Sequence, residues 1–206
     1  VTTAPDEDKD VPCYDIKTGP ISQEWEAFDL MQSFVASHFC TDNNRIFVTG
    51  FAAGGWLSNM WACYFGAAGA ERKFSPKWNV RGRLVMDGGL ANEQPLPCNG
   101  PSAGLWLHGI DDVPRPIEKD IAAFELALAT NGCTGNYVDG PKEPWAAAEG
   151  IPQMGGGLCQ RYTGCPADVA AQYPLIFGTK GAPLRGVPSS VPALVTAFTA
   201  EMAPKP

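Results

Sequence analysis

Three short runs hold the residues whose types and spacing bear on chemistry. Gly50-Phe-Ala-Ala-Gly-Gly55 follows the apolar, β-branched run Arg45-Ile-Phe-Val-Thr49 and precedes a helical pattern over 53–66. Strand, Gly-x-?-x-Gly, helix is the layout of a nucleophile elbow. The glycines permit a sharp turn and close helix–strand approach, and the middle residue is forced outward at the helix N-terminus. A serine there would attack a carbonyl. The residue here is Ala52, which has no oxygen, so the slot cannot carry covalent catalysis. The second run is His108-Gly-Ile-Asp-Asp112, where a carboxylate could orient a histidine. Asp112 is the better placed and Asp111 the second choice; the plainer role for either is to cap the next turn. The third run, Gly178 to Gly186, is where a histidine base is expected, and it contains none. Of the two histidines, His38 ends a helix and reads as a helix-end cation. His108 ends a strand and is expected to orient the Asp112 turn rather than to abstract protons.

Groups so spaced must be positioned by strands, because functional groups in open α/β sheets collect beyond the strands' carboxyl ends. The pattern predicts a helix from the Ser22 cap to about His38, with Glu24 and Glu26 in its first turn and Trp25, Phe28, Met31, Val35 and Phe39 on one apolar face. Strands buried on both faces are predicted at 45–49, 83–86 and 104–108, and a fourth strand at 173–177. Helices are predicted at 53–66, 117–131 and 191–202. Strand–helix alternation of this kind gives an α/β fold with a mostly parallel sheet and flanking helices. The 206 residues are expected to form a single domain, with a polar arm at 1–22 and a long glycine- and proline-containing loop at 132–157.

Composition narrows the function classes. Apolar residues make up 45% and charged residues 18%, which is a globular balance. A net charge of −7 argues against a nucleic-acid backbone or an anionic membrane surface as partner. The most apolar stretch, 51–70, is interrupted by polar residues and glycines and reads as a buried helix, not a membrane span. The seven cysteines are dispersed without paired CxxC motifs, so disulfides in an oxidising compartment, secreted or periplasmic, are expected rather than a metal site. An odd count leaves one cysteine free or bridged to another chain. The sequence starts at Val1, without a signal peptide, and so resembles a processed or truncated product. No cofactor is expected.

Taken together, these residues resemble a family. The segment from Cys40 through Arg45, Gly50, Ala52, Gly54 and Trp56 is similar to the elbow region of secreted polyhydroxybutyrate-depolymerase-like and feruloyl-esterase-like α/β-hydrolases. His108 to Asp112 through Asn131-Gly-Cys133, and Cys159 to Cys165, resemble the same family, so the likeness covers roughly residues 23–177. It implies an α/β-hydrolase-like fold that hydrolyses carboxylic esters through a Ser-His-Asp triad. Ala52 then stands in the serine slot, Asp112 in the acid slot, and the Ala53 backbone N–H is one oxyanion donor. The histidine slot falls within 178–187 and is unfilled. The resemblance also implies that Cys133 pairs with Cys159 or with Cys165.

Three departures set the functional expectation. The nucleophile is absent, the base is absent, and so are the strands that precede the elbow in such folds, so the fold is expected to be incomplete at its N-terminus. A catalytically degenerate esterase-like or depolymerase-like protein that serves binding or structure is expected. The alternative is an active ester hydrolase whose serine is replaced here by mutation. Strand 45–49 would have one unpaired edge, a hazard that a second polypeptide or a cleaved N-terminal segment could remove. Trp56, Trp61 and Trp106 fit core positions, whereas Trp145, in the long loop, is a possible ligand contact.

Overall fold

The computed structural model describes residues 2–3, 12–13, 23–66, 78–90, 98–109, 112, 115–139, 160–162, 164–165 and 176–177. The elements in chain order are β1 (Thr2–Thr3), β2 (Pro12–Cys13), α1 (Gln23–His38), β3 (Ile46–Phe51), α2 (Ala53–Tyr64), β4 (Val80–Met86), β5 (Ala103–Leu107), α3 (Ile117–Thr130), β6 (Tyr137–Asp139), β7 (Gln160–Tyr162) and β8 (Ile176–Phe177). Strands β3, β4, β5 and β8 form one sheet in that order, and every pairing within it is parallel. The fold is α/β. Two antiparallel pairs, β1 with β2 and β6 with β7, lie outside this sheet. Strand β6 lies within the stretch 132–157 read as loop, and the acidic run Asp6 to Asp10, read as a solvated arm, lies outside the described residues.

The centre of the sheet is its driest part. Every residue of β5 is buried, and β4 is buried except at Arg81. Continuous burial of this kind is what a parallel strand between two neighbours requires. One core cluster joins Val48, Met60, Ala62, Phe65, Trp78 and Val80, with Phe28 and Trp61 packed against it. Phe28 stacks on Trp61 at 3.9 Å, and Trp78 donates its indole N–H to the buried Asp29 carboxylate at 3.2 Å. A second cluster joins Val85, Trp106, Phe124 and Ala127, and so fastens α3 to the sheet.

Two expectations about the front of the chain are corrected. In β3 only Val48 is buried, and Thr49 is exposed, so this strand is not buried on both faces. The reason is topological: among the described residues β3 pairs with β4 alone and stands at the sheet edge. Helix α1 buries Asp29 and half-buries Phe28, but Met31, Val35 and Phe39 lie 54%, 37% and 64% exposed, with Leu30 and Phe34 beside them. Its apolar stripe is wider than the face that meets the core.

Trp106 and Trp61 do take core positions, Trp106 fully and Trp61 against Phe28, and Trp56 is half-buried. Disulfides join Cys63 to Cys98 and Cys133 to Cys165, which decides the pairing that the resemblance left open. Cys40 is a free, exposed cysteine. No described helix is long and apolar enough to cross a membrane.

Candidate functional site

The elbow is built by local sterics. Ala52 follows β3 and adopts φ 54°, ψ −119°, a conformation that side chains other than glycine rarely take. Its N–H donates to the Met86 carbonyl at 2.9 Å, and its carbonyl accepts the Trp56 N–H at 3.1 Å, the first hydrogen bond of α2. A Cβ at Gly50 would overlap the Gly54 carbonyl, and one at Gly55 would meet the Cα of Gly88 at 3.0 Å. The glycines therefore allow both the turn and the approach of α2 to the end of β4. Ala52 is half-buried, and Ala53, the first residue of α2, is exposed. Asn59 braces the arrangement from below: it donates to the Gly89 carbonyl at 3.0 Å and accepts the Trp106 indole N–H at 3.2 Å.

Beyond the ends of β4 and β5 lies a buried cluster of charges. Asp87 follows β4 with φ 47°, and its N–H donates to the Leu107 carbonyl at 2.8 Å. Its Oδ1 accepts the Gly109 N–H at 3.2 Å, while Oδ2 accepts no hydrogen bond and faces the Arg115 guanidinium at 3.6 Å. Burial pushes the Asp87 carboxyl up to about 6, against the lowering effects of Gly109, His108 and Arg115.

His108 is fully buried and engaged at both nitrogens. Nδ1 lies 2.8 Å from Asp120 Oδ2, and Nε2 lies 2.6 Å from the Arg115 carbonyl. The carbonyl can only accept, so Nε2 carries a proton. Burial works against a charge on the ring, but the hydrogen bond and charge of Asp120, with help from Arg115 and Asp87, raise its pKa. Burial raises the pKa of Asp120, and His108, the Gly88 N–H and Arg83 offset only part of that. Arg83 lies within β4 beneath the cluster, over the Trp106 ring at 4.7 Å, and burial lowers it to about 9.

Asp112 is 4% exposed. Its Oδ1 accepts the Arg115 backbone N–H at 2.9 Å and its Oδ2 faces the Arg115 guanidinium at 3.3 Å. The guanidinium also lies 5.4 Å from the Phe51 ring, the residue before Ala52, in a cation–π contact. Asp87, His108 and Asp112 present potential ligand atoms within 4.8 Å of one another. Arg115 already supplies a cation there, and neither nitrogen of His108 is free to bind a metal.

The structure thus brings Asp112 and His108 together through Arg115 and connects that group to the elbow through Phe51. His108 hydrogen-bonds the Arg115 carbonyl, which fits an orienting role for a histidine at a strand end. His38 is exposed at the end of α1, with Nδ1 2.8 Å from the Phe34 carbonyl. Asp111, Trp145, Cys159, residues 178–187 and the helix expected at 191–202 lie outside the described residues. Sequence reasoning missed Asp87, Arg115, Asp120 and Arg83. Asp87 was within reach of the rule that found Asp112, because it directly follows a buried strand. Arg83 and Asp120 give no comparable local signal, since each has charged residues close by in its own element, Arg81 in β4 and Glu118 and Lys119 in α3, and nothing in the sequence marks which charge is buried.

Comparison with known proteins adds a relationship in sequence. Feruloyl esterase C of Emericella nidulans is 30% identical over 171 residues, 79% of this chain and 52% of that protein. Probable feruloyl esterases C of Aspergillus terreus and Aspergillus niger are 30% and 29% identical, over 76% and 55% of this chain and 50% and 38% of theirs. The chain is feruloyl-esterase-like. It spans about half the length of the first of these relatives. No family model matches it. The parallel sheet, the elbow at its edge and the esterase relatives together fit an α/β-hydrolase.

Proposed function

We propose that this feruloyl-esterase-like chain is a catalytically degenerate hydrolase that serves binding or structure. One observation supports this above the others: the outward, positive-φ position of the elbow is occupied by Ala52. The turn is kept, with its strain, while the atom it would present is missing. Asp112 is the acid slot and the Ala53 N–H one oxyanion donor. His38 is at a helix end and His108 is bonded at both nitrogens, so neither is available as a base. Trp145 is a ligand contact in this proposal.

The assay is hydrolysis of p-nitrophenyl butyrate and of methyl ferulate by the chain as it stands. The expected result is release at the protein-free rate. Saturable turnover abolished by Asp112→Asn would instead support the second reading, an active ester hydrolase.

The two disulfides support a secreted or periplasmic location. We also propose that a further parallel strand, from a polypeptide segment outside this sequence, pairs with β3. The edge position of β3 among the described residues, the parallel direction of its sheet and the greater length of the relative, of which the match covers 52%, support this. The exposed stripe of Leu30, Met31, Phe34 and Val35 on α1, continued by Phe39 just after it, is further uncovered apolar surface. Native mass spectrometry and light scattering of the isolated chain test it. Self-association or insolubility is expected, and a folded monomer at high concentration contradicts it.

A further inference from the structure

The acid slot is already taken. Asp112 spends one oxygen on the backbone N–H of Arg115, at 2.9 Å, and the other on its guanidinium, at 3.3 Å. The guanidinium is anchored at two more points, Asp87 Oδ2 at 3.6 Å and the face of Phe51 at 5.4 Å. The main chain of Arg115 is gripped as well, since His108 Nε2 donates to its carbonyl at 2.6 Å. The side chain is only 26% exposed, so water screens little of its charge. Both carboxylates approach one guanidinium nitrogen, Nη2, so a permanently charged, largely shielded group sits between two anions.

We propose that Arg115 is a positioning residue that locks the acid slot, holding Asp112 in a closed ion pair where a hydrolase would need it free to orient an imidazole. This rests on the assignment of Asp112 made under the proposed function, and deepens it. A catalytic imidazole becomes a cation as it takes the nucleophile's proton, and Asp112 must stabilise that cation. With Arg115 in place the imidazolium would form beside a fixed guanidinium, and the like charge disfavours it. Restoring the hydroxyl and supplying a base would therefore not be enough to restore catalysis.

The test uses Ala52→Ser as background and free imidazole as the base, with the protein-free imidazole rate subtracted. Imidazole takes the hydroxyl proton as the oxygen attacks p-nitrophenyl butyrate; p-nitrophenolate leaves, and water then releases butyrate. Adding Arg115→Gln should raise imidazole-dependent turnover at least tenfold over Ala52→Ser alone. Adding Asp112→Asn as well should remove the gain.

Arg115→Met, which keeps bulk over Phe51, should open the site as Gln does. Arg115→Lys, which keeps the charge, should not, and this pair carries the test if the Gln variant does not fold. Equal imidazole dependence with and without Arg115, or an equal gain with Lys, overturns the lock. Turnover by Ala52→Ser without imidazole contradicts the degenerate reading instead, and is read separately from the Arg115 comparison.

Discussion

His108 and Asp120 form a buried hydrogen-bonded pair, Nδ1 to Oδ2 at 2.8 Å, one from the end of β5 and the other from the first turn of α3. The pair connects the base of the candidate site to the core, since Asp120 also feels Arg83 and His108 also holds the Arg115 carbonyl. Its second neighbour, Asp87, makes the cluster sensitive to pH. An unfolded Asp87 loses its proton near its ordinary value of about 4, and the folded residue loses it at about 6. Between those values the folded state holds more protons, so stability falls as pH rises, and the whole deficit is present above pH 6. His108, with its raised pKa, acts in the same direction: its contribution is complete below its unfolded value and lost as pH rises through the folded one. Denaturation of the parent and of Asp87→Asn at pH 4 and pH 7 should show the variant gaining on the parent by roughly 2–3 kcal/mol at the higher pH. A difference that does not change with pH contradicts this.

The strain at Ala52 predicts an unusual response to glycine. At an ordinary helical alanine such as Ala122, glycine should cost about 1 kcal/mol. At Ala52, with φ 54°, glycine relieves a conformation that costs on the order of 1–3 kcal/mol. The extra freedom of the unfolded chain takes back part of this. The expected net effect of Ala52→Gly is a stabilisation of about 0.5–1 kcal/mol by denaturant titration. At Gly50 the reverse holds: Gly50→Ala should destabilise by at least about 2 kcal/mol, because its Cβ would overlap the Gly54 carbonyl.

The elbow was legible because its signal is local. Glycines at 50, 54 and 55 between an apolar run and a helical pattern can do little else, and Ala52 falls in the strained position. The central strands and α2 were legible from apolar runs and period, and their observed ends differ by only a few residues. The edge status of β3 was only partly legible, since the residues of Ile46 to Phe51 look like those of an interior strand and only the sheet order shows what flanks it. The charge cluster was legible at Asp112 and His108 alone. Arg83 and Asp87 come from β4 and its end, Arg115 and Asp120 from just before α3 and its first turn, and it is the parallel register of β4 with β5 and the docking of α3 that bring the two stretches together.

The disulfides give a prediction about stability. Cys63 and Cys98 are 35 residues apart and join α2 to the segment before β5. Replacing both with alanine should lower stability by about 4 kcal/mol on the chain-entropy estimate, measured against the parent in urea. Cys40, free and exposed, should take up one maleimide in the native state without a change in stability. Equal stability of the double variant, or protection of Cys40, contradicts the assignment.

Restoring the nucleophile is the most direct test of degeneracy. In subtilisin, loss of the serine or the histidine alone lowers turnover on the order of a millionfold. On the proposed degenerate reading, Ala52→Ser returns only one of two absent groups. Hydrolysis of p-nitrophenyl butyrate by this variant should stay within about tenfold of the protein-free rate, with no burst of p-nitrophenolate. A stoichiometric burst followed by saturable turnover would show that a working base is present after all, and would contradict the account.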